Sequence, residues 1–199
     1  MDTRSRAAGA WGLGLAVFYA VFVRFYQAAG GRIGLPERIT DPDRVRFASY
    51  LAGLLILVGG AACVVLTRRR TAALPRPLVL VTVVAPVVAG GVFALAHGVA
   101  GVVMNVLDLT GVLTLDKPLL ADPTPAVRAA DAWWNILFYQ PWFAAMGLCL
   151  LLCARAYARA AGFRPSTVRR AAIGALIAAV ACTALILVAV ATGTRIVVG

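Results

Sequence analysis

Acidic residues are scarce in this chain, and histidine is nearly absent. Eight Asp and Glu side chains and one histidine stand among 199 residues, and charged residues of both signs make up only 14%. A single histidine, His97, excludes a haem held by two imidazoles and leaves zinc without its usual ligand set. No metal site and no cofactor are expected. The four cysteines, Cys63, Cys149, Cys153 and Cys182, contain no C-x-x-C pair; Cys149 and Cys153 are four apart, on one helix face. All four fall in apolar runs, where they read as small buried apolar residues rather than as a quinone-linked thiol pair. Polar segments are short throughout, so no loop is long enough to hold a soluble domain, and no repeat of useful length is visible.

What the chain does have is apolar length. Hydrophobic residues make up 62% and the mean hydropathy is +0.89, against about half apolar and a quarter charged in soluble domains. Five runs, at about 7–28, 47–67, 77–107, 130–157 and 171–191, approach or exceed the roughly 20 apolar residues that cross a bilayer. The fold expected is all-α: one domain, 1–199, forming an integral membrane bundle of five transmembrane helices in the cell inner (plasma) membrane. The net charge of +11 would suggest nucleic acid in a soluble protein. Here no exposed domain could present a basic patch, and cationic loops are ordinary beside a membrane. The partner expected is therefore the lipid bilayer, and not nucleic acid.

Arg4 and Arg6 before the first run resemble the start of a signal peptide, but its length and its Trp11, Tyr19 and Arg24 suit a retained helix. Gly30 and Gly31 stop that helix, and Pro36 and the Asp-Pro at 41–42 read as turn formers. Gly59, Gly60, Ala61 and Ala62 let a neighbouring helix approach the second span closely. The third span is roughly 45 Å long at 1.5 Å per residue, well beyond a hydrocarbon core of about 30 Å. It must tilt, bend or break, and Pro86 with Gly90-Gly91 marks the expected place. Pro86 would free the Thr82 carbonyl, as Pro141 would free that of Leu137, with Gln140 or a water as its new donor. Residues 108–131 form the longest connection, in which Leu113, Leu115, Leu119 and Leu120 could lie on the membrane surface or cap the bundle. Thr124-Pro125 there reads as a helix cap followed by proline in the first turn.

Counting cations orients the bundle. Eleven of the nineteen lie on the side of the N-terminus: Arg4, Arg6, Arg68, Arg69, Arg70, Arg76, Arg155, Arg159, Arg164, Arg169 and Arg170. Seven lie on the other side: Arg32, Arg38, Arg44, Arg46, Lys117, Arg128 and Arg195. The positive-inside rule then predicts a cytoplasmic N-terminus and an external C-terminus. Glu37 and Asp41, Asp43, Asp108, Asp116, Asp122 and Asp131 fall outside, with only Asp2 inside.

Polar residues within the spans collect in the outer half. Arg24 and Gln27 stand three apart near the outer end of the first helix. His97, Gly101, Asn105 and Asp108 make one stripe on the third, and Asn135, Tyr139 and Trp142 a corresponding stripe on the fourth, with Gln140 on a different face. An arginine at mid-bilayer costs about 2.5–3.5 kcal/mol on insertion scales. Arg24 is off-centre and can reach outward, so an interfacial anchor is its plain reading. Trp133 and Trp134 fit an aromatic belt, whereas Trp142 is deeper. A hydrogen bond to a neighbouring helix is the plain reading of His97. Taken together, Arg24, Gln27, His97, Asn105, Asp108, Asn135, Tyr139, Gln140 and Trp142 outline a candidate outward-facing polar cavity between the first, third and fourth helices.

Two stretches carry a resemblance. YQAAGGRIGLP after the first span and ILFYQPWFAAMG in the fourth resemble the actinobacterial DUF3995 family of small multi-pass membrane proteins. That family shows an aromatic-x-x-GG-x-x-G turn and a Glu/Asn-Pro-Trp-Phe motif followed by a glycine pair. Here Gln140 precedes Pro141-Trp142-Phe143, and Ala-Met-Gly replaces the glycine pair, so no carboxylate stands before the proline. The resemblance implies the same topology and, since the family's function is unassigned, no activity.

Three function classes fit these residues. A binding or transport protein would use the outer cavity for a small apolar or amphipathic ligand, with Arg24, His97, Asn105 and Asn135 as contacts. A membrane enzyme acting on an isoprenoid or lipid would need His97 or Asp108 as acid or base. An accessory subunit would dock on a membrane-protein partner through small-residue faces such as Gly174 and Ala178. Several hydrogen-bonding types converge without a catalytic pair, which favours the first.

Overall fold

The computed structural model describes residues 3–35, 39–68, 75–117, 120 and 124–192, with the side chains of residues 3 and 4 excepted. Asp2, Pro36, Glu37, Arg38, Arg69, Arg70, Leu119, Asp122 and Arg195, which entered the reading above, lie outside these. Five helices are long and apolar enough to cross a membrane: α1 (Ser5–Ala28), α2 (Pro42–Thr67), α3 (Arg76–Leu109), α4 (Pro125–Ala160) and α5 (Pro165–Ala191). The described residues contain no strand; Ile39 and Leu120 form one isolated antiparallel bridge that ties the two loops at one end of the bundle.

Helices α2, α4 and α5 start several residues before their apolar runs. Each opens on a proline in its first turn, where the missing N–H costs nothing. The Asp41-Pro42 pair is thus a helix start rather than a free turn, with the Asp41 carboxylate accepting from the Arg44 N–H at 3.0 Å. Thr124 caps α4 through the Val127 N–H at 3.4 Å, so the connection before α4 ends at Thr124 instead of reaching residue 131. Gly30 and Gly111, both at positive φ, close α1 and α3. In the latter the Val112 and Gly111 N–H groups fold back onto the Leu107 and Asp108 carbonyls.

α3 does not break at Pro86 or at Gly90-Gly91. It continues to Leu109 and absorbs the proline by widening into a π-helical segment, Leu80–Val84, just before it. The same device precedes Pro141, with a π segment at Asn135–Tyr139. A proline ring pushes the preceding turn open and has no N–H to give, and an i→i+5 turn accommodates both. In each case the residue before the proline donates its N–H five residues back, Ala85 to Leu80 and Gln140 to Asn135. A third π segment, Ala20–Phe25, lies in α1 without a proline.

α4 is the central helix: it packs on α1, α2, α3 and α5, while α5 sits at the edge against α3. The core is aromatic and aliphatic at the α1–α4 contact and glycine-lined at the α3–α4 contact. At the α1–α2 contact, a Cβ on Gly60 would stand 2.5 Å from that of Ala16. Gly59 has more room, its nearest neighbour being Met146 at 3.6 Å.

Candidate functional site

Tyr19 is the centre of the site, although neither its position nor its neighbours single it out in the sequence. It is fully buried. Its ring lies face to face with Trp142, centroids 3.9 Å apart at 16°. Phe138, Tyr139 and Phe143 surround it at 6.0 to 6.3 Å. Such ring pairs add about 0.5–1.5 kcal/mol each beyond area burial, so this is the tightest apolar joint between α1 and α4. The Trp142 indole also donates to the Leu15 carbonyl at 3.2 Å. Trp142 is therefore a buried tie between helices, while Trp133 and Trp134 are exposed on the surface.

Both π segments near this joint bring together residues five apart. On an α-helix such residues stand about 140° apart, on different faces; an i→i+5 turn aligns them. In α1 this sets the Arg24 guanidinium over the Tyr19 ring at 5.4 Å. In α4 it lets the Gln140 side-chain amide donate to the Asn135 side-chain oxygen, Oδ1, at 3.2 Å. The expected stripe of Asn135, Tyr139 and Trp142 therefore splits. Tyr139 and Trp142 face α1, while Gln140, expected on a different face, joins Asn135 and packs its side chain over Gly101 of α3. Asn135 donates in turn to the Asp131 carbonyl at 3.0 Å.

Gln27 belongs to a structural lock. Buried at 2% exposure, it donates to the Tyr139 hydroxyl at 3.3 Å and to the Ile33 carbonyl at 3.4 Å. It accepts from Ser49 of α2 at 3.4 Å. Tyr139 also donates to the Ile33 carbonyl, at 3.4 Å. These bonds tie the turn after α1 to α2 and α4, and Gly34 lies against the Tyr139 hydroxyl, where a Cβ would clash with it.

The remaining candidates separate from this group or lie at its edge. His97 is buried between Phe93, centroids 5.9 Å apart, and Phe143, at 4.8 Å edge-on. Asn105 spends its amide on the Gly101 carbonyl of its own helix, at 2.8 Å. Asp108 is a scaffold residue rather than a free acid. Its carboxylate accepts from Arg128 at 2.7 Å and from the Leu115 N–H at 3.0 Å, and it pairs with Lys117 at 3.2 Å. Lys117 also pairs with Asp131 at 2.8 Å. This network folds the connection between α3 and α4 back onto the start of α4.

Against that network, among the described residues, stand three buried polar side-chain atoms without a hydrogen bond: the Tyr19 hydroxyl, Arg24 Nε and Gln140 Oε1. Arg24 and Tyr19 are neighbours, but neither Arg24 Nε nor the Tyr19 hydroxyl has a hydrogen bond of good geometry to any described residue. Among the described residues no carboxylate pairs with Arg24. Leaving a buried polar group unpaired costs about 1–3 kcal/mol, so two adjacent ones in α1 are an expensive feature for a purely structural joint.

The thiols sit apart from this site. Cys63 of α2 and Cys153 of α4 lie side by side in the core next to Cys149, and all four cysteines are free. Spacing within one helix could not reveal a pair formed between two. Among the described residues, no group of three or more His, Cys, Asp or Glu side chains is arranged to hold a metal ion. Comparison with protein-family models, with curated proteins and with solved structures gives no match for the chain.

Proposed function

We propose that this multi-pass membrane protein binds a small, partly apolar molecule at Arg24 and Tyr19. The polar end of that molecule is a hydrogen-bond acceptor such as a carboxylate, and its body rests on the aromatic residues around Trp142. One observation carries the reading: among the described residues a guanidinium inside a membrane-spanning helix has no acidic partner, and beside it stands a buried phenol hydroxyl with no hydrogen bond. Intramembrane arginines are costly and ordinarily pair or serve a site. The guanidinium can only donate and the phenol can also donate, so an acceptor would serve both. The acid–base reading is weaker, because Asp108 is held by two cations and a backbone N–H, and His97 is enclosed by Phe93 and Phe143.

Purification in mild detergent followed by mass spectrometry of released small molecules tests this. Wild-type protein should carry a bound acidic or carbonyl-bearing amphiphile, and Arg24→Gln should lose it. Tyr19→Phe is the more telling variant. Removing an unpartnered hydroxyl should leave thermal stability unchanged or raise it by about 1 kcal/mol, while retention of the small molecule falls roughly tenfold. Wild-type retention by both variants, or a stoichiometric protein in place of a small molecule, would overturn the assignment.

On the positive-inside count the site lies in the outer half of the membrane. Thr114, exposed in the loop after α3, reports on this directly. Thr114→Cys in intact cells should react with a membrane-impermeant maleimide; reaction only after the cells are opened would reverse the orientation.

A further inference from the structure

At the end of the bundle opposite the aromatic joint, an open groove of about 740 Å³ runs between α1 and α2. Gly14 and Val17 of α1 and Val64 of α2 wall it, and Arg6 and Arg68 stand at its mouth. The wall is apolar: the Thr67 hydroxyl, its one polar group, is spent on the Cys63 carbonyl at 2.7 Å. Neither arginine belongs to an ion pair among the described residues. From Arg6 to Val17 is eleven residues, about 16 Å of helix, and one leaflet of hydrocarbon is about 15 Å deep. The groove therefore has cations at headgroup level and an apolar slot of one acyl-chain length beneath them.

We propose that this groove holds one anionic phospholipid of the adjoining leaflet, its phosphate between Arg6 and Arg68 and one acyl chain along Gly14 and Val17. Charge selects this occupant over a second copy of the chain. A symmetric parallel pair joined through this groove would set Arg6 and Arg68 against the same residues of its twin, whereas a phosphate neutralises them. Gly14 has no atom within 4 Å of the position its Cβ would take, so the slot is open at the point where a chain would lie.

Native mass spectrometry of the full-length, delipidated protein, incubated with phosphatidylglycerol or phosphatidylcholine of equal chain length, tests the proposal. Wild type should retain phosphatidylglycerol in preference to phosphatidylcholine. A cation near an anionic surface contributes roughly fivefold in affinity, so the double variant Arg6→Gln, Arg68→Gln should lose on the order of 30-fold for phosphatidylglycerol and little for phosphatidylcholine. Gly14→Leu, whose Cβ has no atom within 4 Å and whose side chain would occupy the slot, should weaken both lipids. Gly174→Leu on α5, whose Cβ position is likewise open, should match wild type in lipid retention and be at least as stable. Equal retention of the two lipids by wild type, or unchanged retention by the charge and slot variants, would overturn the site. So would a dimer that Gly14→Leu dissolves without loss of lipid, which would make the occupant a second chain.

Discussion

Gly98→Ala and Gly147→Ala should each destabilise the bundle by about 2–3 kcal/mol, although each adds a single methyl group. The reason is where that methyl would go. A Cβ on Gly98 would stand 2.6 Å from the Ala144 nitrogen and from the Gln140 carbonyl oxygen. A Cβ on Gly147 would stand 2.6 Å from the Leu95 nitrogen and 2.7 Å from the Gly91 carbonyl oxygen. These are backbone atoms and have no rotamer to change, so α3 and α4 must move apart along their whole contact. In a membrane that contact rests on close van der Waals packing rather than on the hydrophobic effect, which makes each lost tenth of an ångström expensive. The separation would also pull Gln140 away from Gly101. Gly90→Ala and Gly174→Ala make the comparison, since neither glycine has an atom within 4 Å of its Cβ position. They should be neutral, or stabilising by about 0.5–1 kcal/mol from helix propensity. Thermal unfolding in detergent reads the difference, with a loss of about 5–10 °C expected for the tight positions. If Gly147→Ala melted with Gly90→Ala, the α3–α4 crossing would not be as close as drawn.

That contrast also shows what the sequence could and could not disclose. Gly90 and Gly91 are adjacent and look alike in the chain, yet only Gly91 meets α4, against Leu151 at 2.9 Å. Apolar length and charged loops define five spans because membrane thickness sets both. The helix starts at Pro42, Pro125 and Pro165 escape a hydropathy reading because their first turns are polar and lie before the apolar window. Tyr19 was hidden for a different reason. Its link to Arg24, like that of Asn135 to Gln140, has a spacing of five, which an α-helical reading assigns to different faces. Only the π segments bring these residues into register. Proline before Trp142 hinted at one distortion; nothing comparable announces the one in α1.

The largest expected effect outside the glycine contact belongs to Asp108, which spacing along α3 assigned to the cavity and which the structure gives to the loop. Asp108→Asn should cost about 3 kcal/mol and loosen the connection from Thr110 to Thr124. The Asp108 side chain is 6% exposed and that of Lys117 10%, so the pair is largely removed from water. Removing one partner of a buried pair leaves the other charges uncompensated, which typically costs about 3–5 kcal/mol. The low end applies because Lys117 keeps Asp131 at 2.8 Å. Arg128 fares worse: it loses its carboxylate at 2.7 Å and, among the described residues, keeps the Leu115 carbonyl at 3.1 Å as the one partner of its side chain. Limited proteolysis should then cut the variant between Thr110 and Thr124 under conditions that leave wild type intact, with a lower melting temperature. Adding Arg128→Met to Asp108→Asn should recover part of the stability, because it removes the orphaned cation. The small-molecule retention assay distinguishes this role from a catalytic or ligand-binding one. Asp108→Asn should keep the bound molecule at temperatures where the fold persists, because Asp108 makes its contacts to Lys117, Arg128 and Leu115 rather than to Arg24 or Tyr19. A variant that stayed fully stable yet released the molecule would return Asp108 to the site.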